Sequence, residues 1–136
     1  YLKERDVPLL IYQDRLNLLD REPQENGVTQ YCADHGIGFI SFSPLAQGLL
    51  TDRYLNGIPA DSRMAKEQYL KHSALTPELL EQLKTWNAEA AERGETLAEM
   101  ALAWILQQKG VTSVLVGASS VAQLEKNMKC VHAAKL

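Results

Sequence analysis

The amino-acid sequence predicts an α/β fold with a parallel sheet, and three observations lead to this class. Short apolar runs occur at residues 8–12, 37–42 and 112–116, and their lengths fit strands better than helices. Their largely apolar character is typical of strands buried on both faces of a parallel sheet. Segments with helical periodicity lie between the runs and after the last one, so strands and helices alternate along the chain.

The first elements are a charged segment, a strand and a helix. Residues 2–6 are charged and are predicted to finish a preceding helix, and residues 8–12 form the first predicted strand. Residues 25–35 are predicted to be helical, with Gly36 in a left-handed C-terminal turn. Three side chains recur at helical spacing there and would form the apolar face: Val28, Tyr31 and Cys32.

The second predicted strand, at residues 37–42, leads into a long irregular region. Ser43 and Pro44 break the strand, because proline has no N–H to donate to a β-ladder. Residues 43–75 are rich in Gly, Pro, Asn, Asp and Ser. A loop of this length inside a compact domain is usually functional or disordered.

Two helices with recognisable N-termini follow this region. The first begins at Thr76, a hydroxyl cap followed by Pro77, and Gly94 closes it. The second begins at Thr96, which forms a capping box with Glu99. Both helices carry apolar stripes that include their tryptophans, which predicts that these side chains belong to the core.

The third predicted strand, at residues 112–116, runs into a turn of small residues and a last helix. Residues 117–119 are Gly-Ala-Ser, and the helix is predicted from Ser120 through Asn127 or beyond. A small-residue turn into a helix N-terminus presents free N–H groups and a positive dipole end, which suits a phosphate. The alternative is an ordinary turn in which Ser120 and Gln123 form a capping box.

Composition excludes several classes of function. The 136 residues contain 14 Lys and Arg against 17 Asp and Glu, and this balance gives no support to nucleic-acid binding, which normally requires a basic stripe. No apolar run approaches the roughly 18–20 residues of a membrane span. Cys32 and Cys130 form no disulfide framework, so we expect a cytoplasmic setting. They also form no CxxC pair, and the three histidines lack metal-ligand spacing, so we expect no metal site.

The length of the chain fits one ordinary domain, but its pattern does not. It begins at Tyr1 without an initiator Met, and three strands are too few for a standard parallel sheet. Each open sheet edge needs a neighbour or a cover. We therefore expect this sequence to be part of a longer protein or to assemble with another chain.

Ligands of parallel α/β folds bind at the carboxyl ends of strands, and three segments qualify here. They are residues 13–17, 43–51 and 117–120. The middle segment either wraps a ligand or is a surface connection. Arg53 and Arg63 lie in the same long loop, and each could bind phosphate or simply be solvated. Composition and spacing alone stop at an α/β protein with a possible phosphorylated ligand.

Three motifs carry a more specific signal. Ile-Ser-Phe-Ser-Pro-Leu-Ala-Gln-Gly-Leu-Leu-Thr at 40–51 is followed by Asn-Gly-Ile-Pro at 56–59 and by Ser62-Arg63. Val-Leu-Val-Gly-Ala-Ser at 114–119 and Pro-Leu-Leu-Ile-Tyr-Gln at 8–13 complete the set. In this order and at these separations, the motifs resemble the aldo-keto reductase superfamily. The branch they resemble contains bacterial glyceraldehyde-3-phosphate reductases and potassium-channel β subunits.

The resemblance implies a (β/α)8 barrel that binds NADP(H) at its carboxyl-end face. Such a barrel takes about 250 residues, so residues 1–136 would be a partial barrel domain, the last three strands and their helices, without the N-terminal half. The family pattern then assigns cofactor contacts by position. Those at the nicotinamide end would be Gln13 and Phe42, and those of the pyrophosphate loop would be Ser43, Pro44, Leu45, Gly48 and Leu50. Those near phosphates and adenine would be Arg53, Arg63, Gly117, Ser119, Gln123 and Asn127.

Three positions depart from the family pattern. Leu16 stands where a Tyr is common, Asp52-Arg53 stands where Gly-Lys is common, and Lys126 stands where an acidic residue often contacts adenine. The family's catalytic Tyr, Lys, Asp and His all belong to the first half of the barrel. No catalytic residue therefore maps onto this chain.

The resemblance implies an NADPH-dependent oxidoreductase that reduces a small aldehyde or ketone to an alcohol. This chain would supply the cofactor-binding half and would be inactive alone. One alternative is a nucleotide-binding regulatory protein, like the channel β subunits, that acts through protein contacts. Another is an inactive fragment, and a homo-oligomer is compatible with each.

Overall fold

The structure is a computed structural model that describes residues 2–60, 62, 64–65 and 70–133. Its sheet has three parallel strands in the order β1-β2-β3. They are β1 (Ile11–Arg15), β2 (Gly38–Phe42) and β3 (Val111–Val114). The predicted α/β class with a parallel sheet is thus confirmed for the described part of the chain.

Helices connect these strands. Two short helices lie between β1 and β2, α1 (Glu22–Glu25) and α2 (Val28–Asp34). Two longer helices, α3 (Pro77–Glu92) and α4 (Leu97–Leu106), lie between β2 and β3, and α5 (Val121–Met128) follows β3. Short 3-10 turns occur at Lys3–Arg5, Ala46–Gly48, Asp52–Tyr54, His72–Ala74 and Lys129–His132. The segment predicted to finish a preceding helix is therefore a single 3-10 turn.

The first strand is displaced from its predicted position. It begins at Ile11 rather than at residue 8 and continues through the polar residues to Arg15, because these residues pair with β2 from Gly38 to Phe42. Pairing with a neighbouring strand satisfies backbone groups whatever the side chain is. The expectation that this strand is buried on both faces is wrong for this chain, since Leu10 is 74% exposed and Ile11 is 56% exposed. The third strand is also shorter than predicted and begins one residue earlier, at Val111.

The predicted helix at residues 25–35 is two helices. Gly27 interrupts it with a φ of 83°, and the Asn26 side chain accepts a hydrogen bond from the Val28 N–H at 3.1 Å, where α2 begins. Cys32 is buried as predicted, but Tyr31 is exposed and its ring stacks on His35. A one-face periodicity could not reveal the break, because a glycine inside a helical pattern is locally tolerated.

The predicted caps of the two longer helices are confirmed. The Thr76 hydroxyl accepts a hydrogen bond from the Leu79 N–H at 3.2 Å. At the start of α4, the Thr96 hydroxyl accepts from the Glu99 N–H at 3.2 Å, while the Glu99 carboxylate accepts from the Thr96 N–H at 2.7 Å. This reciprocal pair satisfies two backbone donors that a helix start leaves open.

The core lies on one face of the sheet. Leu16, Cys32, Phe39 and Ile105 are buried together between the strands and helices α2 and α4. A second cluster joins α3 and α4 to the loop after β2, with these buried members: Leu18, Leu50, Leu83, Ala90, Leu97, Met100 and Ala101. Side chains alternate between faces along a strand, so the exposed Gln13 and its half-buried partner Ile40 belong to the other face.

Within the described ranges, no helix has both the length and the apolar character needed to cross a lipid bilayer.

Candidate functional site

A cleft of about 600 Å³ lies at the carboxyl ends of β2 and β3. One wall is the loop after β2, and the other is the segment that joins β3 to α5. Its lining residues are Ser43, Pro44, Leu45, Gln47, Gly48, Thr51, Arg53, Tyr54, Leu115, Val116, Gly117, Ala118, Ser119 and Gln123. The cleft therefore lies where parallel α/β folds place ligands.

The loop after β2 has an unusual backbone. Ser43, Ala46 and Gln47 have positive φ angles of 51°, 45° and 59°. Residues other than glycine rarely adopt this left-handed region, and Gly48 follows with a φ of 101°. Non-glycine residues in this region persist only where surrounding contacts hold them. Here the Leu45 carbonyl accepts hydrogen bonds from the Gly48 N–H at 2.8 Å and from the Leu50 N–H at 3.1 Å. These bonds curl the loop around one side of the cleft.

Side chains further along the loop hold its shape. The Thr51 hydroxyl donates to the Gly48 carbonyl at 2.6 Å and accepts from the Arg53 N–H at 3.2 Å. Tyr54 is 1% exposed and packs in an apolar cluster with Met64 and Leu70. The Arg53 side chain is exposed and lies on the rim of the cleft, where a guanidinium could meet an anion.

The opposite wall ends at the N-terminus of α5. The Ser120 hydroxyl caps this helix by accepting from the Gln123 N–H at 3.2 Å. The Gln123 side chain does not complete a capping box, because its oxygen accepts instead from the N–H and the hydroxyl of Ser119. The helix N-terminus adds a positive dipole end to this wall of the cleft.

Asn127 lies on the same helix, and its side chain is buried. It is 5% exposed, and among the described residues its Nδ2 has no hydrogen-bond partner. A buried amide donor left unpaired costs about 1–3 kcal/mol. This atom is therefore a position at which a ligand acceptor would be stabilising.

The structure brings most, but not all, of the predicted site residues together. Those that line the cleft are Ser43, Pro44, Leu45, Gly48, Arg53, Gly117, Ser119 and Gln123. Leu50 is fully buried in the core beneath the loop, and Arg63 lies outside the described residues. The sequence predicts Gln13 just after the first strand, but in the structure it lies within β1. Its side chain is exposed on the face opposite the core.

Phe42 is the last residue of β2 and lies beside the cleft rather than in its lining. Its ring is half-buried, and the Arg15 guanidinium carbon lies 5.8 Å from the ring centroid. Arg15 is also paired with Phe42 in the register of β1 and β2. This guanidinium was not anticipated from the sequence, because the contact depends on strand register.

Several lining residues were not among the predicted contacts. They are Gln47, Thr51, Tyr54, Leu115, Val116 and Ala118. Gln47 and Thr51 carried a usable signal as polar residues within the loop motif. Ala118 lay within the predicted small-residue turn before the last helix. Tyr54, Leu115 and Val116 carried no such signal, because residues of these types are ordinary in strands and cores. In the described part of the chain, no group of three His, Cys, Asp or Glu side chains could hold a metal ion.

Comparison with known proteins finds relatives along the whole chain. The Aldo/keto reductase family model matches residues 1–136. L-glyceraldehyde 3-phosphate reductase of Escherichia coli K12 is 46% identical over 136 residues, covering 96% of this chain and 39% of that protein. A probable voltage-gated potassium channel subunit beta of Arabidopsis thaliana is 38% identical over 125 residues, covering 90% of this chain and 38% of that protein.

A solved structure shares the fold at low sequence identity. It is the crystal structure of a thermostable aldo-keto reductase in complex with the inhibitor epalrestat, with a TM-score of 0.68 and 22% identity. The match covers 99% of this chain and 38% of that one. The chain thus spans less than half the length of these relatives, and the extent of the family match shows that it belongs to the aldo/keto reductase family.

Proposed function

We propose that this chain forms the cofactor-binding part of an NADP(H)-dependent oxidoreductase that reduces small aldehydes or ketones to alcohols. The observation that carries the proposal is the cleft between the loop after β2 and the N-terminus of α5. Family membership and the similarity to a named reductase support it. When bound, NADPH supplies the hydride for such a reduction, and the protein supplies binding and orientation.

The groups that line and flank the cleft fit NADP(H). Its phosphates are anionic, and the cleft offers the Arg53 guanidinium and the N-terminus of α5. Adenine carries ring-nitrogen acceptors, and the unpartnered Nδ2 of Asn127 is a buried donor on the same helix. Gln13 and Phe42, on the adjacent strands, would then meet the nicotinamide end. Arg63 would contribute to the 2′-phosphate, as the family pattern implies.

We also propose that residues 1–136 are the last three strands and helices of a (β/α)8 barrel. A parallel sheet is normally covered on both faces, whereas the described helices pack on one face of this sheet and Leu10 and Ile11 stay exposed at its edge. The outer face of α5 also exposes Val121 and Met128. Further strands and helices would cover these surfaces. The residue that donates the proton would lie on those further elements.

The similarity to a potassium-channel β subunit favours a second candidate function. Such a protein would bind the nucleotide through the same cleft but would act through protein contacts, as a homo-oligomer or with another chain. The two candidates differ in turnover rather than in binding.

Nucleotide titration of the protein as it is naturally encoded tests the binding step. NADPH fluorescence should change saturably, and Arg53→Glu should weaken the affinity about tenfold or more because it reverses a charge beside the phosphates. Lys109→Glu is the matched control, since it reverses a cation that precedes β3, at the amino end of the sheet. Equal affinities for both variants would argue against this cleft.

Turnover separates the two candidates. Oxidation of NADPH that depends on an added aldehyde supports the reductase, and saturable binding without such oxidation supports the regulatory protein. The isolated 136-residue chain should not reduce an aldehyde, because no catalytic residue of the family maps onto it. Reduction by this chain alone would overturn the proposed division of roles.

A further inference from the structure

Asn17 connects the turn after β1 to the loop that forms the cleft. It is 1% exposed, and its Nδ2 donates a hydrogen bond to the Ser43 carbonyl at 3.0 Å, across 26 positions of sequence. Its Oδ1 accepts from the N–H groups of Leu19 at 2.9 Å and Asp20 at 3.0 Å. The two ends of one buried amide therefore hold two separate segments.

Ser43 is the residue at which the loop leaves β2. Its φ of 51° is unfavourable for a side-chain-bearing residue, and a residue before proline normally prefers extended backbone. Its carbonyl accepts a second hydrogen bond, from the Ala46 N–H at 3.0 Å. Two donors thus converge on this carbonyl and fix the peptide plane between Ser43 and Pro44, which both line the cleft.

An Asn whose only role is to close its own turn would need only its side-chain oxygen. Aspartate closes such turns as well as asparagine does, because each places an oxygen near the N–H two residues on. The donor end of Asn17 is not used in its turn, and the bond it makes reaches the cleft loop. Asn at this position therefore supplies Ser43 with a donor that Asp would lack.

We infer that Asn17 is a positioning residue that holds the cleft loop in its nucleotide-binding conformation. The inference rests on the proposed function, because it assigns to Asn17 an effect on NADPH affinity. Without the Nδ2–H, Ser43 relaxes toward extended backbone and the loop must be reordered when the nucleotide binds. That reordering weakens affinity although the substitution removes no group that contacts the nucleotide.

Two variants of the protein as naturally encoded test this role. Asn17→Asp keeps an oxygen for Leu19 and Asp20 and loses the donor to Ser43. Asn17→Ser is an uncharged variant whose side chain is too short to reach Ser43. It replaces Asn17→Asp in the test if the buried carboxylate of the aspartate variant prevents folding. Asn26→Ser is the matched control, because Asn26 also closes a turn with its Oδ1 but is exposed and precedes α2.

The first readout is amide hydrogen exchange without nucleotide. We expect both Asn17 variants to accelerate exchange at residues 45–51, with no matching change in α3 and α4, whereas the control leaves the loop unchanged. The second readout is NADPH affinity, which should weaken about tenfold in the Asn17 variants, the loss typical of one buried hydrogen bond. A merely structural role would accelerate exchange in the helices as much as in the loop.

The two readouts separate this inference from the proposed function. If the unsubstituted protein binds no NADPH, the proposed function fails, and exchange alone still reports whether Asn17 holds the loop. If it binds NADPH and both Asn17 variants bind equally well, the positioning role is overturned. Uniform acceleration of exchange throughout the chain would overturn it as well.

Discussion

The Gln123 side-chain oxygen accepts two hydrogen bonds from Ser119, one from its N–H at 2.7 Å and one from its hydroxyl at 3.0 Å. This pair orders the segment that leads from β3 into α5. It also uses the Gln123 oxygen within the protein, so that the side-chain NH2 is the end available to an anion in the cleft. Gln123 therefore both shapes one wall of the cleft and contributes a donor to it.

A negative charge at position 123 should weaken nucleotide binding without disturbing the segment between β3 and α5. In Gln123→Glu, a carboxylate oxygen still accepts from Ser119, but a negative charge replaces the donor at the proposed position of the cofactor phosphates. We expect NADPH affinity to fall about tenfold, with a smaller loss at high salt because ions screen the repulsion. Gln82→Glu, on the exposed side of α3, is the matched control in the same titration. A loss in both variants would point to net charge rather than to the cleft.

The capping box of α4 should contribute measurably to stability. Thr96→Ala removes the oxygen that accepts from the Glu99 N–H, and we expect the free energy of unfolding to fall by about 1 kcal/mol. Thr85→Ala is the control, because Thr85 is exposed within α3 and its hydroxyl donates to the Glu81 carbonyl, away from any helix start. Urea denaturation of the two variants checks the difference. Equal losses would mean that the box has no special role.

The buried thiol of Cys32 should make stability depend on pH at the alkaline end. Burial raises the pKa of this thiol, so the folded state favours the protonated form. Its contribution is fully present below the unfolded thiol pKa of roughly 8.5 and is lost as pH rises through that value toward the folded pKa. Urea denaturation at neutral and alkaline pH should show a smaller alkaline loss for Cys32→Ala than for the unsubstituted protein. Identical losses would assign the alkaline dependence to other groups.

How well the sequence predicts this protein depends on the range of the interaction. The caps at Thr76 and Thr96 were predictable, because each joins residues three positions apart. The limits of β1 were not, since they follow from its register with Gly38–Phe42. The exposure of Tyr31 also escaped prediction, because helical periodicity identifies one face of a helix and not what packs against it.

The candidate site shows the same division. The loop after β2 and the turn before α5 could be predicted to share a cleft, because the carboxyl ends of parallel strands meet at one edge of a sheet. The contact between Asn17 and Ser43 and the unpartnered amide of Asn127 could not, because each depends on tertiary packing. What the sequence motifs identified was therefore most of the lining of the cleft rather than the tertiary contacts around it.

Gly110 lies close to the backbone of α2 and should tolerate substitution by alanine less well than a glycine with free space around it. Its φ is +89°, and a Cβ there would overlap the Thr29 carbonyl oxygen and lie 3.0 Å from its carbonyl carbon, so the backbone of α2 would have to move. Gly36 is the matched control, because its φ is +66° but a Cβ there would meet no atom within 4 Å. Gly36→Ala should cost roughly 1–2 kcal/mol from the left-handed backbone alone.

Gly110→Ala adds the steric overlap to that backbone cost, and we expect a loss of more than about 3 kcal/mol in the free energy of unfolding. Urea denaturation of both variants measures the difference. Gly110 precedes β3, and the cleft lies beyond the opposite end of that strand. NADPH affinity per folded molecule should therefore stay unchanged in both variants. A Gly110→Ala loss no larger than that of Gly36→Ala would mean that α2 yields at this contact without cost.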